Sequence, residues 1–276
     1  MIQYSFRFIK RFAILIPGLI IAYLSVFKIF PYFEDQLPLT IAIFVTYILA
    51  AYILIPAIIR VLRSIFPAKH LPLYCVTPDG FASDPLNVGI ESTQQELIAI
   101  MEAADWHVAD KIGVLSSFKQ ITSTLLSQPY ATAPVSYLYL FGRRQDIAFE
   151  KSINGKRGGR HHVRFWATTY QQDSPLNRDT IHWSKRQPPD VSKKVLWVGA
   201  ASLDGGVTLI RHNFQISHMI HPDTNNEREF IVTELRALKI VQKITQVKLG
   251  KAYKLTNRVW RGYLLSDGIM TVLQLR

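Results

Sequence analysis

The sequence predicts an α+β membrane protein, with an N-terminal two-helix transmembrane hairpin followed by a mostly antiparallel sheet domain with covering helices. Three observations predict this class. Two long stretches near the N-terminus are almost uncharged, later segments alternate short aromatic and β-branched runs with turn residues, and two capping-box patterns mark helices. The chain has 276 residues, 49% of them hydrophobic, and this apolar excess is concentrated in its N-terminal part.

The first predicted element is a transmembrane hairpin over residues 1–66. Its spans cover about residues 12–30 and 37–59; the first carries only Lys28 and the second carries no charge. About 20 apolar residues cross a hydrocarbon core about 30 Å thick, and neither stretch has the polar face of a soluble helix. A cleaved signal peptide is the alternative for the first stretch, but no small-residue cleavage motif follows it.

Flanking positive charge predicts the orientation of the hairpin. Arg7, Lys10 and Arg11 precede the first span, and Arg60 and Arg63 follow the second. Because lysine and arginine are retained on the cytoplasmic side, we expect a bacterial inner-membrane protein with its N-terminus and its C-terminal domain in the cytoplasm. The chain's single cysteine excludes an intrachain disulfide and suits a reducing compartment.

A juxtamembrane linker is predicted at residues 67–80, followed by a globular domain over residues 81–276. Thr93 and Glu96 have capping-box spacing, so a helix is predicted from Gln94 to about Ala104. A second helix is predicted over about residues 117–127, where the chain then reaches a proline.

The remaining elements are predicted from turn residues and periodicity. Thr224 and Glu227 form a second capping-box pattern at the start of a helix. Three hairpins are predicted around Asn154–Gly155, Asp204–Gly206 and Asp267–Gly268, and Asp204 is accordingly interpreted as a turn residue. Because the sequence lacks the glycine-rich motifs of nucleotide-binding folds, it favours a largely antiparallel sheet over a doubly wound one.

Basic side chains recur on adjacent predicted strands and form a candidate ligand-binding site. We predict that Arg143, Arg144, His162 and Arg164 converge on an anionic group such as phosphate, which suits the bidentate guanidinium. Strand alternation puts His162 and Arg164 on one face. The alternatives are an ordinary solvated strand face and structural arginine–carboxylate pairs.

Several acidic and histidine side chains are candidates for acid–base or metal chemistry. The catalytic candidates are His162, His218, His221, Asp146 and Glu150. A divalent metal could use His218, His221 and Asp223, but strand alternation points the two imidazoles to opposite faces, and Asp223 is explained as a helix cap. The sequence therefore favours no metal site, and it identifies no cofactor.

The basic balance of the chain, a formal net charge of +12 at pH 7, suits an anionic membrane surface. Each lysine or arginine close to such a surface contributes about 1 kcal/mol. We expect no nucleic-acid partner, because the sequence has no helix-turn-helix, zinc-finger or RNP pattern.

The segments SDPLNVGI, ELIAIMEAADWHVAD, APVSYLYLFGRRQDIAFEK, RHHVRFW and HPDTNNERE resemble the LssY C-terminal domain family over most of residues 83–276. The resemblance implies a membrane context, because that domain recurs in bacterial membrane proteins behind DedA-like or lipid-phosphatase regions. It supplies no catalytic residues. Two helices cannot form the lipid-phosphatase core, so no phosphatase activity is carried over. Asp105 stands where the family pattern leads us to expect a glycine before the tryptophan.

Three functional hypotheses follow from these observations. The first is an accessory or sensor module that binds an anionic ligand or lipid headgroup at the membrane. The alternative is a hydrolase acting on a phosphorylated or lipid substrate. A further alternative is a scaffold that binds a membrane-protein partner.

Overall fold

The computed structural model separates the N-terminal helical segments from the sheet domain as two units. The described residues are 16, 18–55, 57–58, 71–78, 80, 82–113, 115–116, 118–119, 122, 130, 132–140, 142–153, 159–170, 176, 181–182, 187–209, 216–257 and 262–276. Of the helix predicted over residues 117–127, residues 118, 119 and 122 are described, and these are helical.

The N-terminal unit consists of two helical segments joined by a turn. Helical residues 18–24 lead through a π-helical stretch, Ser25–Ile29, into α1 (Phe30–Glu34). After the turn, α2 (Leu39–Ile48) continues into a second π-helical stretch, Leu49–Leu54. The described residues contain no helix that is both long enough and apolar enough to cross a bilayer. The transmembrane hairpin therefore stays a prediction.

The described part of the sheet domain contains both short and long strands. In chain order they are β1 (Tyr74–Val76), β2 (Ala82–Pro85), β3 (Val88–Ser92), β4 (His107–Val108), β5 (Tyr139–Leu140), β6 (Arg143–Arg144), β7 (Ile147–Ser152), β8 (Arg160–Tyr170), β9 (Ile181–His182), β10 (Val195–Leu209), β11 (Ile216–Ile220), β12 (Val241–Lys248), β13 (Tyr253–Asn257), β14 (Gly262–Ser266) and β15 (Ile269–Leu275). β1 lies within the stretch that the sequence assigns to the linker.

The strands form a large sheet, a small sheet and a separate pair. The large sheet has the order β12-β15-β3-β10-β8-β7-β4, with β11 beside β10 and β9 beside β8. The small sheet has the order β2-β1-β5-β6, and β13 pairs with β14. In the pairings described, only β15 and β3 run parallel. The predicted α+β class with a mostly antiparallel sheet is confirmed.

The first helix of the domain, α3 (Gln94–Ala103), begins as predicted. Thr93 Oγ1 accepts a hydrogen bond from the Glu96 backbone N–H at 3.1 Å, and Glu96 Oε2 accepts one from the Thr93 N–H at 2.8 Å. Both orphan donors at this terminus are thus satisfied reciprocally. The predicted capping box is confirmed.

The end of α3 is a Schellman turn. The Trp106 N–H donates to the Met101 carbonyl and the Asp105 N–H donates to the Glu102 carbonyl, both at 2.9 Å. This turn requires a left-handed residue after the helix, and Asp105 adopts it with φ of 63°. A glycine is the least strained residue at such a position, which explains the glycine expected there.

The second long helix of the domain, α4 (Thr224–Ala237), has the predicted cap at Asp223 but lacks the predicted capping box. The Asp223 carboxylate accepts the Asn225 N–H at 3.0 Å, which makes Asp223 the N-cap. Thr224 Oγ1 instead donates to the Leu265 carbonyl at 2.8 Å. The capping box predicted for Thr224 and Glu227 is wrong, because tertiary partners engage both side chains.

The helices cover one face of the large sheet and the small sheet covers the other. Leu97 of α3 and Ile231 of α4 share a core with Phe165 of β8. Trp166, the next residue of β8, belongs to a second core with Leu140 of the small sheet. Successive residues of a strand point to opposite faces, so each residue of β8 faces either the helices or the small sheet.

One predicted hairpin has its turn at the wrong position, and another is wrong in its pairing. β10 does not turn at Asp204–Gly206 but continues to Leu209, and β11 pairs with it through a bulge in this stretch. At the C-terminus, β14 pairs with β13, whereas β15 pairs with β12 and β3. The strands β7 and β8 do pair as predicted; their tip, Asn154–Gly155, lies outside the described residues.

Candidate functional site

A group of charged side chains is buried between the large sheet and the small sheet. His162 and Arg164 lie on the face of β8 that points to the small sheet, and they are only 2% and 5% exposed. Carboxylates from three other strands meet them there. We call this group the buried charge network; its members are Asp84, Glu150, Arg160, His162, Arg164 and Asp204.

One end of the network joins the two sheets directly. Arg164 Nη1 donates to Asp84 Oδ2 at 2.6 Å, and Arg164 Nε donates to the Ser136 carbonyl at 3.0 Å. Ser83 Oγ donates to the other Asp84 oxygen at 3.0 Å. His162 Nε2 lies 3.6 Å from Asp84 Oδ2, so this carboxylate faces two basic side chains.

The other end of the network is centred on Arg160. Its Nε donates to Asp204 Oδ2 at 2.9 Å and its Nη1 donates to Glu150 Oε2 at 2.6 Å. The second Asp204 oxygen lies 3.2 Å from His162 Nδ1. His162 therefore lies between Asp84 and Asp204 and connects the two ends.

Strand register explains why these side chains meet. Glu150 of β7 and Ser202 of β10 lie directly opposite His162 on either side of β8. Residues directly opposite each other in antiparallel strands have Cβ atoms about 4.5–5.5 Å apart and share one face. Among the described residues, Ser202 Oγ and Glu150 Oε1 are buried without a hydrogen-bond partner, so this row contains unused polar capacity.

The charges of the network nearly cancel. Three carboxylates face two guanidinium groups, and a protonated His162 makes the sum zero. Burial opposes the charged imidazole, but Asp204 and Asp84 outweigh it and raise the pKa of His162. Burial likewise favours a neutral Asp84, yet Arg164 and His162 hold the pKa of Asp84 below its usual value.

Glu150 is the second group of the network that can hold a proton near neutral pH. Burial raises the pKa of Glu150 to about 7, against the opposing effect of the adjacent Arg160. A proton on either Glu150 or His162 therefore brings the net charge of the network to zero. A group poised this way is typical both of acid–base sites and of structural ion-pair networks.

The structure brings together some of the predicted ligand-binding residues and separates others. His162 and Arg164 share Asp84, as described above. Arg143 Nη2 instead donates to Asp146 Oδ2 at 2.6 Å and to the Ala167 carbonyl at 2.8 Å. Arg144 is exposed, with its guanidinium 4.7 Å from the centre of the Tyr137 ring.

Of the candidate catalytic and metal-binding residues, His162 and Glu150 lie together in the buried charge network, and the others do not. Asp146 pairs with Arg143, and burial raises the pKa of Asp146. His218 lies on β11 opposite Val207, and its side chain is outside the described part of the chain. His221 is exposed, and Asp223 caps α4. The described residues contain no cluster of three or more histidine, cysteine or acidic side chains that could hold a metal ion.

Sequence reasoning missed two members of the network, Asp84 and Arg160, and their neighbour Ser202, and it preferred a turn role for Asp204. Asp204 follows a strand and precedes two glycines, so it has the pattern of a turn residue. Asp84 lies on a strand of four residues, which is too short for periodicity to reveal. The quoted segment SDPLNVGI, which contains Asp84, was the only signal available for it.

A hydrogen bond links β8 to α4 on the opposite face of the sheet. His161 Nδ1 lies 2.8 Å from Glu227 Oε1, and the imidazole stacks on Phe230 with ring centroids 4.2 Å apart. Glu227 is therefore a tertiary partner of His161 rather than a capping residue. Neighbouring residues of β8 thus contact carboxylates on both faces of the sheet.

The network joins the two sheets through Arg164 and Asp84, and it contains two groups whose pKa values are raised, Glu150 and His162. Its cations already face carboxylates, so an anionic ligand would have to displace Asp84, Glu150 or Asp204. Displacing one partner of a buried ion pair costs about 3–5 kcal/mol. The geometry therefore supports a structural role for the buried cations, and leaves ligand contact to exposed ones.

Comparison with known proteins gives one match. The family model described as "LssY C-terminus" matches residues 68–264, more than half of the chain. No match was found among the curated proteins or the solved structures.

Proposed function

The chain belongs to the LssY C-terminus family, and we propose that this member is a membrane-anchored accessory module. In this proposal residues 12–30 and 37–59 span the inner membrane. The domain then lies at the cytoplasmic face and binds anionic groups of the lipid surface through exposed cations.

The observation that carries the proposal is the exposure of large apolar side chains on both N-terminal helical segments. Leu19, Phe27, Ile43 and Phe44 are each more than half exposed. Soluble proteins rarely expose contiguous apolar surface of this kind, and such surface marks contact with a membrane or another protein. Lipid is favoured because the same stretches are almost free of charge.

The proposed attraction to anionic lipid rests on exposed cations of the domain. Of the four basic side chains first considered, Arg144 is the exposed one. No described carboxylate forms an ion pair with it. Together with the net charge of +12, this supports attraction to an anionic leaflet, where each nearby cation contributes about 1 kcal/mol.

Extraction of bacterial membranes with alkaline carbonate tests the anchor. We expect the full-length chain to remain in the membrane pellet, and Ile43→Arg to reduce the retained fraction because a charge at the centre of a span is costly. Tyr32→Arg, in α1 and outside both proposed spans, is the matched control and should be retained. A reporter fused after Arg276 should be active only in the cytoplasm. Complete release of the wild type by carbonate would refute the anchor.

Hydrolysis of a phosphorylated or lipid substrate is the second candidate function. The specific observation in its favour is His162, placed between Asp84 and Asp204 and directly opposite Ser202. Carboxylate, imidazole and hydroxyl are the groups from which an activated nucleophile is built; within the described part of this structure, Ser202 Oγ and the His162 nitrogens make no hydrogen bond. Substrate access would require the small sheet to move, because all four side chains are at most 5% exposed.

A panel of phosphatase and esterase substrates tests this second candidate. Activity that is lost in both His162→Asn and Ser202→Ala would support it, provided that each variant unfolds at the same temperature as wild type. Activity that is unchanged in Ser202→Ala would show that Ser202 is not the nucleophile and would contradict this candidate site.

A further inference from the structure

Three exposed apolar side chains project from the chain just after β4. Leu115 is 85% exposed, Phe118 is 67% exposed and Ile112 is 42% exposed. We call these three residues the apolar patch. A single exposed apolar residue is ordinary in a protein surface, but three within seven positions of the sequence form a local concentration that calls for a partner.

Two lysines flank the apolar patch. Lys111 precedes Ile112, and Lys119 follows Phe118. Both lysines line a shallow depression of about 590 Å³, together with Asp110, Leu115 and Tyr130. Lys119 Nζ lies 4.0 Å from the centre of the Tyr130 ring. The surface thus combines exposed apolar side chains with two lysines and one aspartate, so that cations outnumber anions at its edge.

Hydrogen bonds fix the backbone that presents these side chains. Ser116 Oγ accepts the Gly113 N–H at 2.9 Å and donates to the Lys111 carbonyl at 2.8 Å. Tyr130 Oη donates to Asp110 Oδ2 at 2.5 Å. These bonds hold Lys111, Gly113 and Ser116 together, and Leu115 and Phe118 are themselves helical.

We propose that this surface docks onto an anionic lipid bilayer, with Leu115 and Phe118 at the acyl-chain boundary and Lys111 and Lys119 at the lipid phosphates. An element with apolar side chains bordered by lysines is typical of segments that lie in the membrane interface. Charge complementarity favours an anionic leaflet over a neutral protein surface, since both flanking side chains and the net charge of the chain are positive.

The docking proposal rests on the proposed membrane anchor. Residues 60–70 connect the second apolar stretch to the first described residue of the domain, and a chain of that length reaches at most about 40 Å. Tethering makes docking intramolecular, so that even a weak contact with lipid is populated. The inference adds which surface of the domain meets the leaflet.

A fluorescent probe on the apolar patch tests the docking. Leu115→Cys in the full-length chain is labelled with an environment-sensitive dye and reconstituted into phosphatidylcholine vesicles with or without phosphatidylglycerol, each carrying a nitroxide-labelled lipid. The native Cys75 is fully buried, and burial raises the pKa of its thiol, so it should resist labelling. Lys193→Cys, at an exposed position elsewhere in the domain, is the matched control.

We expect the nitroxide to quench the probe at position 115 strongly in phosphatidylglycerol vesicles and to leave the probe at position 193 bright. Adding Lys111→Gln and Lys119→Gln should lower the docked fraction relative to the undocked fraction roughly thirtyfold, because each lysine contributes about fivefold. Equal quenching at both positions, or none at position 115, would overturn the docking. A blue shift without quenching would overturn it too, because a second copy of the chain would then cover the probe.

Flotation of the same vesicles separates the two proposals. Protein that floats with the lipid in every sample retains the membrane anchor, whatever the probe shows. Protein that fails to float refutes the anchor, and the quenching experiment then decides whether the apolar patch binds lipid without it.

Discussion

Arg164 on the large sheet donates a 2.6 Å hydrogen bond to Asp84 on the small sheet, 80 positions earlier in the chain. Both side chains are nearly inaccessible to solvent. Removing one partner of such a pair leaves an uncompensated buried charge, whereas removing both does not. The contact therefore couples the two sheets energetically, and it can be measured.

We predict that Asp84→Asn and Arg164→Met each lower the free energy of unfolding by about 3 kcal/mol or more. The double variant should lose less than the sum of the two, because neither charge is then left unpaired. Thermal or denaturant unfolding followed by tryptophan fluorescence measures this. The exposed pair Asp190 and Lys193, 3.9 Å apart, is the control, and its loss should cost no more than about 0.5 kcal/mol. Additive losses at Asp84 and Arg164 would contradict the coupling.

We predict that the domain loses stability as the pH rises from about 4.5 to about 7. The pKa of Glu150 is 4.5 in the unfolded chain and about 7 when folded. A group whose pKa is raised by folding contributes stability below its unfolded pKa, and this contribution is lost as the pH passes through the folded value. The raised pKa of His162 acts in the same direction.

Glu150→Gln isolates the contribution of Glu150 to this pH dependence. The free energy of unfolding, measured by denaturant titration between pH 5 and pH 8, should fall less steeply in the variant than in wild type. The two falls should differ by an amount on the order of 3 kcal/mol across the window. Identical pH profiles for the two proteins would show that Glu150 does not take up a proton on folding.

We predict that Asp105→Gly stabilises the domain by about 1 kcal/mol. Asp105 has φ of 63°, a left-handed conformation that costs most residues about 1–2 kcal/mol and glycine almost nothing. The matched control is Glu102→Gly within α3, where glycine should cost about 1 kcal/mol. The midpoint of denaturant unfolding gives both values, and a loss of stability in Asp105→Gly would mean that the aspartate side chain outweighs the strain.

We predict that Asp223→Ala destabilises α4 by about 1 kcal/mol, because it removes the carboxylate that accepts the Asn225 N–H. Asp223→Asn keeps an acceptor at the cap and should be close to wild type. Thermal unfolding distinguishes the two, and equal losses would indicate that charge rather than capping is the relevant property of Asp223.

Local signals in the sequence predicted the elements that local contacts stabilise. The start of α3 was predicted because Thr93 and Glu96 cap each other within one turn. The turn predicted at Asp204 was wrong because β10 is held along its length by β3, β8 and β11. Such pairing overrides the preference of an Asp-Gly-Gly sequence, and no short window of sequence contains its partners.

The candidate site shows the same division. Alternation correctly placed His162 and Arg164 on one face of β8. It could not show that this face is covered, because the covering sheet consists of strands of only two to four residues. The carboxylates that neutralise these cations come from distant parts of the chain, so the sequence suggested an open anion site where the structure has internal ion pairs.

The alternation of charged and apolar residues along β8 also favours its correct register with the neighbouring strands during folding. A shift of the register by one residue would turn Arg160, His162 and Arg164 toward the helices. Val163 and Phe165 would then face carboxylates that have lost their cationic partners. Each misplaced guanidinium would then lie in hydrocarbon without a counter-charge, at a cost larger than any local gain. Mispaired registers of the sheet are thereby disfavoured, and the buried ion pairs help to select the correct register of β8.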